Sequence, residues 1–298
     1  MKWQGVLPAI TTPFKPDFSV DADLLVKQVD ALVRGGCTGI VALGSLGEGG
    51  SLSFDEKKAV LRLCREALKG RAPLVAGVAA LTTADAIRLA ELGADTGCEG
   101  LMVLPPYVYK GDWPETRAHF DAVIGATPLP CMLYNNPIAY GTDVHPEQMV
   151  DLAVDLPNFV AVKESSADVR RVSALRALLA DRLAILVGVD DLILEGIQAG
   201  AVGWIAGLAD ALPEESVRLF DLAVAGRIAE ARAVYDWFMP LLRLDTVPKF
   251  VQLIKLVQQE TGLGSETVRP PRLPLASPER EAVLDLARYV LARRPALG

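Results

Sequence analysis

The sequence predicts an α/β protein, a (β/α)8 TIM barrel followed by a C-terminal helical extension, and three observations favour this fold. The chain has 298 residues, of which 51% are hydrophobic and 22% charged, a globular composition long enough for one large barrel. Short apolar runs bounded by glycine or proline alternate with segments of helical period. These runs are apolar throughout, which is typical of strands buried on both faces of a parallel sheet.

The predicted strands are residues 5–10, 39–43, 73–78, 100–104, 130–134, 159–162, 183–187 and 202–205. The predicted helices between them are residues 23–33, 55–68, 84–92, 113–124, 146–154, 169–180 and 192–198. Ser53 and Glu56 form a capping box at the second helix, and Thr83 and Asp168 are candidate caps of later ones. A strand spacing of roughly 20 to 35 residues matches a (β/α)8 barrel, and a doubly wound sheet is the alternative.

Beyond the eighth strand the sequence predicts helices only. One lies near residues 213–225, and three more lie near 227–242, 247–261 and 278–292. A proline-rich joint interrupts the last three. We therefore assign residues 1–225 to the barrel and residues 226–298 to a helical extension packed on it.

Charge and hydropathy exclude several classes of partner. The formal net charge is −7, and the 30 lysines and arginines are spread along the chain, so a nucleic-acid surface has no electrostatic support. No apolar run approaches the roughly 20 residues that cross a bilayer, and the first residues do not resemble a secretory leader. We expect a cytoplasmic protein that binds neither nucleic acid nor membrane.

The residues that usually bind metals and nucleotides are few. The four cysteines form no C-x-x-C pair and are expected to be reduced core thiols, and the chain has only 2 histidines. The glycines that follow the second strand do not fit G-x-G-x-x-G, which disfavours a nicotinamide cofactor. We expect no metal and no cofactor.

Lys163 is the most informative residue of the sequence. It follows the sixth predicted strand without a break, so its amine should lie at the mouth of the barrel, where active sites of this fold are found. The pKa of a free lysine is about 10.4, and burial lowers it, which leaves an unprotonated amine that can attack a carbonyl carbon and form an imine. The alternative is a structural lysine, paired with Glu164 or directed to solvent.

Two further strand ends are polar. Tyr134 ends the fifth strand beside Lys163, where a phenol can transfer protons during imine formation; a packed structural tyrosine is the alternative. The loop 44–48 after the second strand has small residues and free N–H groups that can hold a carboxylate.

These motifs resemble those of the dihydrodipicolinate synthase and N-acetylneuraminate lyase family. Gly44-Ser45-Leu46-Gly47-Glu48 resembles its G-[ST]-T-G-E loop, Tyr134-Asn135-Asn136-Pro137 its Y-N-x-P, and Val162-Lys163-Glu164 its lysine strand. Pro248-Lys249 and residues 268–275 resemble its C-terminal part. The resemblance covers nearly the whole chain. It implies a (β/α)8 barrel, a homotetramer built as a dimer of dimers, a Schiff-base lysine and no metal.

The resemblance also implies roles for particular residues. Lys163 is the imine-forming residue and Tyr134 the proton shuttle, Ser45 and the Leu46 N–H hold the substrate carboxylate, and Ile205 contributes a backbone contact near the imine. Gly188 and Asp190, after the seventh strand, belong to the substrate site. Asp190 matches a position that contacts substrate hydroxyls in the sialic acid lyases, and solvent-exposed helix capping by Asp190 or Asp191 is the alternative.

Departures from the family pattern bear on the substrate. Dihydrodipicolinate synthases have an arginine, which binds the second substrate's carboxylate, where this chain has Ala139. Val108 stands where those enzymes place a tyrosine lent across the dimer, and Leu46 replaces the second hydroxyl residue of the loop. These differences disfavour dihydrodipicolinate synthesis and predict a shortened proton relay.

Within the family, other segments look most like the 1-pyrroline-4-hydroxy-2-carboxylate deaminases of bacterial hydroxyproline degradation. These are residues 134–140 with Asp143, 189–191, 204–208 and 244–246. The products would be 2-oxoglutarate semialdehyde and ammonia. The same residues would serve an aldolase or dehydratase of a 2-oxo-3-deoxy sugar acid, or a 2-oxo-acid sensor without turnover. In each case the partner is a small 2-oxo acid or cyclic imine acid.

Overall fold

Eight parallel strands form a nearly closed barrel in the computed structural model, which describes residues 1–295. The strands are β1 (Gly5–Pro8), β2 (Ile40–Ala42), β3 (Leu74–Val78), β4 (Gly100–Val103), β5 (Cys131–Asn135), β6 (Phe159–Glu164), β7 (Ala184–Val187) and β8 (Gly203–Ala206). Neighbours in sequence are neighbours in the sheet, β8 pairs with β1, and a parallel bridge between Ala9 and Val41 joins β1 to β2. The predicted TIM barrel is confirmed.

Helices separate the strands. They are α1 (Ala22–Arg34), α2 (Phe54–Leu68), α3 (Thr83–Asp95), α4 (Trp113–Gly125), α5 (Pro137–Tyr140), α6 (Pro146–Asp155), α7 (Arg170–Leu179), α8 (Ile193–Gln198) and α9 (Pro213–Val224). The capping box of Ser53 and Glu56 is present, whereas Thr82 caps α3 in place of the expected Thr83, because the helix begins one residue earlier than predicted. The sequence analysis did not predict the short helix α5.

Three helices form the C-terminal extension: α10 (Ile228–Leu242), α11 (Phe250–Glu260) and α12 (Ser277–Leu291). The last three residues of the predicted extension, 296–298, lie outside the described residues. In the part of the chain that the structure describes, no helix combines the length and the apolarity needed to cross a membrane.

A buried ion pair joins the extension to the barrel. Lys255 of α11 donates a hydrogen bond of 2.6 Å to Glu48, which belongs to the loop between β2 and α2, and both side chains are completely buried. Lys255 also donates to the Thr267 carbonyl, and the Arg269 N–H donates to the second oxygen of Glu48. The predicted substrate loop is therefore anchored on the extension.

Candidate active site

Lys163 and Tyr134 are direct neighbours at the mouth of the barrel. They face each other in the register of β5 and β6, and only 6% of Lys163 and 5% of Tyr134 is exposed. The Lys163 Nζ lies 4.0 Å from the centroid of the Tyr134 ring, over its face. The Tyr134 hydroxyl accepts a hydrogen bond of 3.1 Å from Asn136. The amine and the phenol predicted from the sequence are thus brought together out of water.

Burial lowers the pKa of Lys163 below the ordinary lysine value, because the site solvates an ammonium poorly. Electrostatic interactions with Asp245, Tyr140 and Asp190 oppose this decrease. At neutral pH a larger fraction of this amine is therefore unprotonated than in an exposed lysine, which favours attack on a carbonyl carbon.

The loop 44–48 begins and ends on left-handed backbone. Leu43 and Glu48 have φ angles of 64° and 54°, which are uncommon for residues other than glycine and occur often at functional sites. The Ser45 hydroxyl contacts the Tyr140 hydroxyl at less than a normal hydrogen-bond distance. Within residues 1–295, no backbone or side-chain acceptor meets the Leu46 N–H. Such an N–H can bind a carboxylate.

Gly188 leaves the space that the Lys163 side chain occupies. A Cβ at residue 188 would lie 2.6 Å from the Lys163 Cε and 2.7 Å from its Cγ, so any side chain there would displace the amine. Ile205 is buried in β8 opposite Leu7 of β1. Its predicted contact with the substrate stays a prediction.

The Asp190 carboxylate binds protein groups. It accepts hydrogen bonds from the Trp204 indole N–H of β8 (2.9 Å) and from the Gly207 N–H (3.0 Å) and the Leu208 N–H (2.7 Å), which directly follow β8. Burial raises the pKa of Asp190 to about 6, against the effect of these donors. Asp190 therefore fixes the loop after β8, and contact with a substrate hydroxyl remains a prediction.

Two residues near Lys163 were not among the predicted site residues. Tyr140, at the end of α5, packs edge-on against Tyr134 with ring centroids 5.6 Å apart. Asp245 belongs to a single 3-10 turn, Arg243–Thr246, after α10, and its carboxylate accepts a 3.4 Å hydrogen bond from the Asp190 N–H. The presence of an aromatic residue in a polar loop could have identified Tyr140 as a site residue. No comparable signal exists for Asp245, because only the fold brings this residue of the extension to the barrel mouth.

Residues that could bind a metal ion are not clustered in the part of the chain that the structure describes. Across residues 1–295 the structure contains no group of three or more histidine, cysteine or acidic side chains that could hold a metal ion. The four cysteines are buried and unpaired, as the sequence analysis expected.

Comparison with known proteins identifies the family. The model of the dihydrodipicolinate synthetase family matches residues 2–289. The chain belongs to this family. A 4-hydroxy-tetrahydrodipicolinate synthase from Sorangium cellulosum is 35% identical over 293 residues, covering 98% of this chain and 97% of the relative. One from Rhizobium meliloti is 33% identical and covers 96% and 97% of the two chains.

Solved structures of the family have the same fold. The 4-hydroxy-tetrahydrodipicolinate synthase of Methylacidiphilum fumariolicum SolV superposes with a TM-score of 0.92 at 29% identity, covering 98% of each chain. The chloride-inhibited dihydrodipicolinate synthase of Acinetobacter baumannii, solved with pyruvate, has a TM-score of 0.91 at 30% identity, covering 98% of this chain and 99% of its own. The present chain is accordingly a Schiff-base lyase of the dihydrodipicolinate synthetase family. The relatives described here are named as synthases, so the sequence-based assignment to a deaminase has no support from them.

Proposed function

We propose that Lys163 forms an imine with C2 of a small 2-oxo acid or cyclic imine acid. The observation that supports this most directly is the buried Lys163 amine beside the Tyr134 ring. The protonated imine is an electron sink, so that a bond at C3 is made or broken without a free carbanion. The complex of the Acinetobacter baumannii relative with pyruvate, a 2-oxo acid, supports the same substrate class.

The substrate proposed is 1-pyrroline-4-hydroxy-2-carboxylate. Lys163 attacks C2 of the ring, and the ring nitrogen leaves as a primary amine. Tyr134 takes a proton from C3 as it gives its own phenolic proton to the 4-hydroxyl, which leaves as water. Loss of a proton from C5 and protonation at C3 move the double bond to C4–C5, and the resulting enamine tautomerises to an imine at C5. Hydrolysis of this imine and of the lysine imine consumes two waters, so the net reaction takes up one water and yields 2-oxoglutarate semialdehyde and ammonia.

The charged groups at the barrel mouth favour the hydroxypyrroline carboxylate over the substrates of 4-hydroxy-tetrahydrodipicolinate synthesis. The position of the synthase arginine is Ala139, exposed on α5. The acidic side chains that interact electrostatically with Lys163 are Asp245 and Asp190, and burial raises the pKa of both. These surroundings suit a substrate with one carboxylate and a hydroxyl or nitrogen group better than one with a second carboxylate. The names of the relatives favour the second candidate, 4-hydroxy-tetrahydrodipicolinate synthesis.

A product assay separates the candidates. We expect purified enzyme to release ammonia and 2-oxoglutarate semialdehyde in equal amounts from the hydroxypyrroline carboxylate. The same enzyme should turn over the substrate pair of 4-hydroxy-tetrahydrodipicolinate synthesis at least about 10²-fold more slowly, because no guanidinium binds the second carboxylate. Faster synthesis than deamination would overturn the proposal in favour of the synthase. Pyruvate release from a 2-oxo-3-deoxy sugar acid would identify an aldolase, and no turnover of any substrate would identify a sensor.

We also propose that the protein assembles as a homotetramer, a dimer of dimers. Four large apolar side chains are exposed in the segments after β3, β4 and β5: Leu81, Val108, Tyr109 and Ile138, each more than 60% exposed. Because the ends of parallel strands meet at one edge, these side chains share a rim of the barrel, and an exposed apolar rim is typical of an interface.

Val108→Asp combined with Ile138→Asp should lower the mass measured by sedimentation, whereas Val224→Asp, at an exposed apolar residue of α9, should not. A wild-type protein that sediments as a monomer at micromolar concentration would contradict the proposal.

A further inference from the structure

The phenol of Tyr140 lies between the two parts of the site that the sequence analysis predicted. Its hydroxyl contacts Ser45, its ring packs edge-on against Tyr134, and on another side it packs against Tyr107 with centroids 6.0 Å apart. Tyr134 in turn lies beside the Lys163 amine. The order Lys163, Tyr134, Tyr140, Ser45 runs from the reacting amine to the carboxylate loop within one chain.

Asn136 holds both phenols in place. Its side-chain amide donates to the Tyr134 hydroxyl (3.1 Å), and its side-chain oxygen accepts from the Ala139 N–H (3.0 Å), capping α5. The Asn136 carbonyl accepts from the Tyr140 N–H (3.0 Å), and Gly141, with a φ of 73°, ends the helix. A single residue therefore sets the spacing of Tyr134 and Tyr140.

Both phenols are protonated at neutral pH. Burial raises the pKa of Tyr140 and of Tyr134 above the usual tyrosine value. Since a phenolate is disfavoured in this site, a proton that Tyr134 gives away must be replaced at once. The Tyr140 hydroxyl is the neighbouring group that can replace it, and Ser45 can reprotonate Tyr140.

We propose that Tyr140 relays protons between Tyr134 and Ser45 and that it acts through Tyr134, without touching the reacting carbon. This inference rests on the proposed imine chemistry of Lys163. When Nζ attacks C2, the resulting hydroxyl leaves as water after it takes a proton from Tyr134. Tyr134 regains a proton from Tyr140, and Tyr140 regains one from Ser45. The proton that the attacking nitrogen releases goes to the substrate oxygen and makes it a hydroxyl. Ser45 regains its proton from solvent, so formation of the protonated imine and one water takes up one proton.

The test uses exchange of the C3 protons of pyruvate with deuterium from solvent, followed by proton NMR. This reaction needs the lysine imine and proton transfer and does not depend on the deaminase assignment. Tyr140→Phe should slow the exchange about 10²-fold, the lower end of the effect of general acid–base catalysis. The KM for pyruvate and borohydride trapping at Lys163 should change by less than about twofold, because phenylalanine preserves the ring packing. Tyr107→Phe is the matched control, since it removes a hydroxyl from a ring on the other side of Tyr140, and it should exchange like the wild type.

The pH profile separates a relay from a purely structural role. The Tyr140 hydroxyl lowers the pKa of Tyr134 by hydrogen bonding, a smaller effect than burial, which raises it. Removing that hydroxyl should raise the pKa of Tyr134 and move the alkaline limb of the exchange rate to higher pH. Unchanged exchange in Tyr140→Phe, or an equal loss in Tyr107→Phe, would overturn the relay and leave the imine proposal intact. A wild-type enzyme that neither exchanges pyruvate protons nor is trapped by borohydride would overturn both.

Discussion

Replacing Lys163 by alanine is expected to lower kcat/KM by about 10⁴-fold or more, because the variant lacks the nucleophile that joins C2 of the substrate. Mass spectrometry after borohydride reduction should show the substrate adduct on wild-type protein and none on the variant. Alanine removes a buried amine and adds no volume, so the fold should remain intact by circular dichroism.

Lys110→Ala is the matched control for this variant. Lys110 is an exposed lysine whose side chain packs against Gly141, at the end of α5. The Lys110→Ala variant also loses a lysine side chain close to the barrel mouth. It should change kcat/KM less than about threefold, since exposed charges act weakly through water. Activity or adduct formation that survives in Lys163→Ala would refute imine catalysis by this residue.

The second large effect concerns stability and the pair of Glu48 and Lys255. Glu48→Gln should lower the free energy of unfolding by about 3–5 kcal/mol, the range measured when one partner of a buried ion pair is removed. The Lys255 ammonium would remain completely buried without its counter-charge. Burial already lowers the pKa of Lys255, and the charge of Glu48 opposes that decrease. Urea unfolding followed by circular dichroism measures the difference.

An exposed ion pair provides the comparison. Lys249 and Glu279 join α12 to the start of α11 at the surface. Glu279→Gln should therefore cost less than about 1 kcal/mol, as is typical of exposed pairs. Equal losses in the two variants would mean that the burial of the Glu48 pair has no energetic consequence.

The barrel and the central pair of the site could be predicted from the sequence because each depends on local patterns. Strands buried on both faces are apolar throughout, and parallel neighbours end at the same edge. The position of Tyr134 at the end of one strand and Lys163 at the end of the next was therefore enough to predict that they meet. A single-residue error occurred at the start of α3, where two threonines are adjacent and Thr82 caps the helix in place of Thr83.

Other features of the site depend on contacts between residues that are distant in the sequence, and no local pattern predicts such contacts. Tyr140 reaches Ser45 because a four-residue helix, too short to show a periodic pattern, turns its ring inward. Asp245 lies near Lys163 because the extension returns to the barrel mouth. Asp190 was predicted to contact the substrate, but the sequence could not show that three N–H donors in and directly after β8 surround it. The substrate is hardest to predict, since related enzymes share the lysine and differ in a few rim residues.

The ion pair of Glu48 and Lys255 also determines how the chain tolerates truncation. All eight strands lie before residue 207, so a premature stop codon after α9 would leave a complete set of strands. Such a product would nevertheless lack Lys255 and Arg269, whose groups bind Glu48, and Arg269 additionally reaches Phe18 and Glu56. An allele of this kind would encode a barrel whose carboxylate loop has lost its anchor and whose Glu48 has lost the donors of the extension that bind it. It should therefore behave genetically as a null allele, although every strand is still encoded.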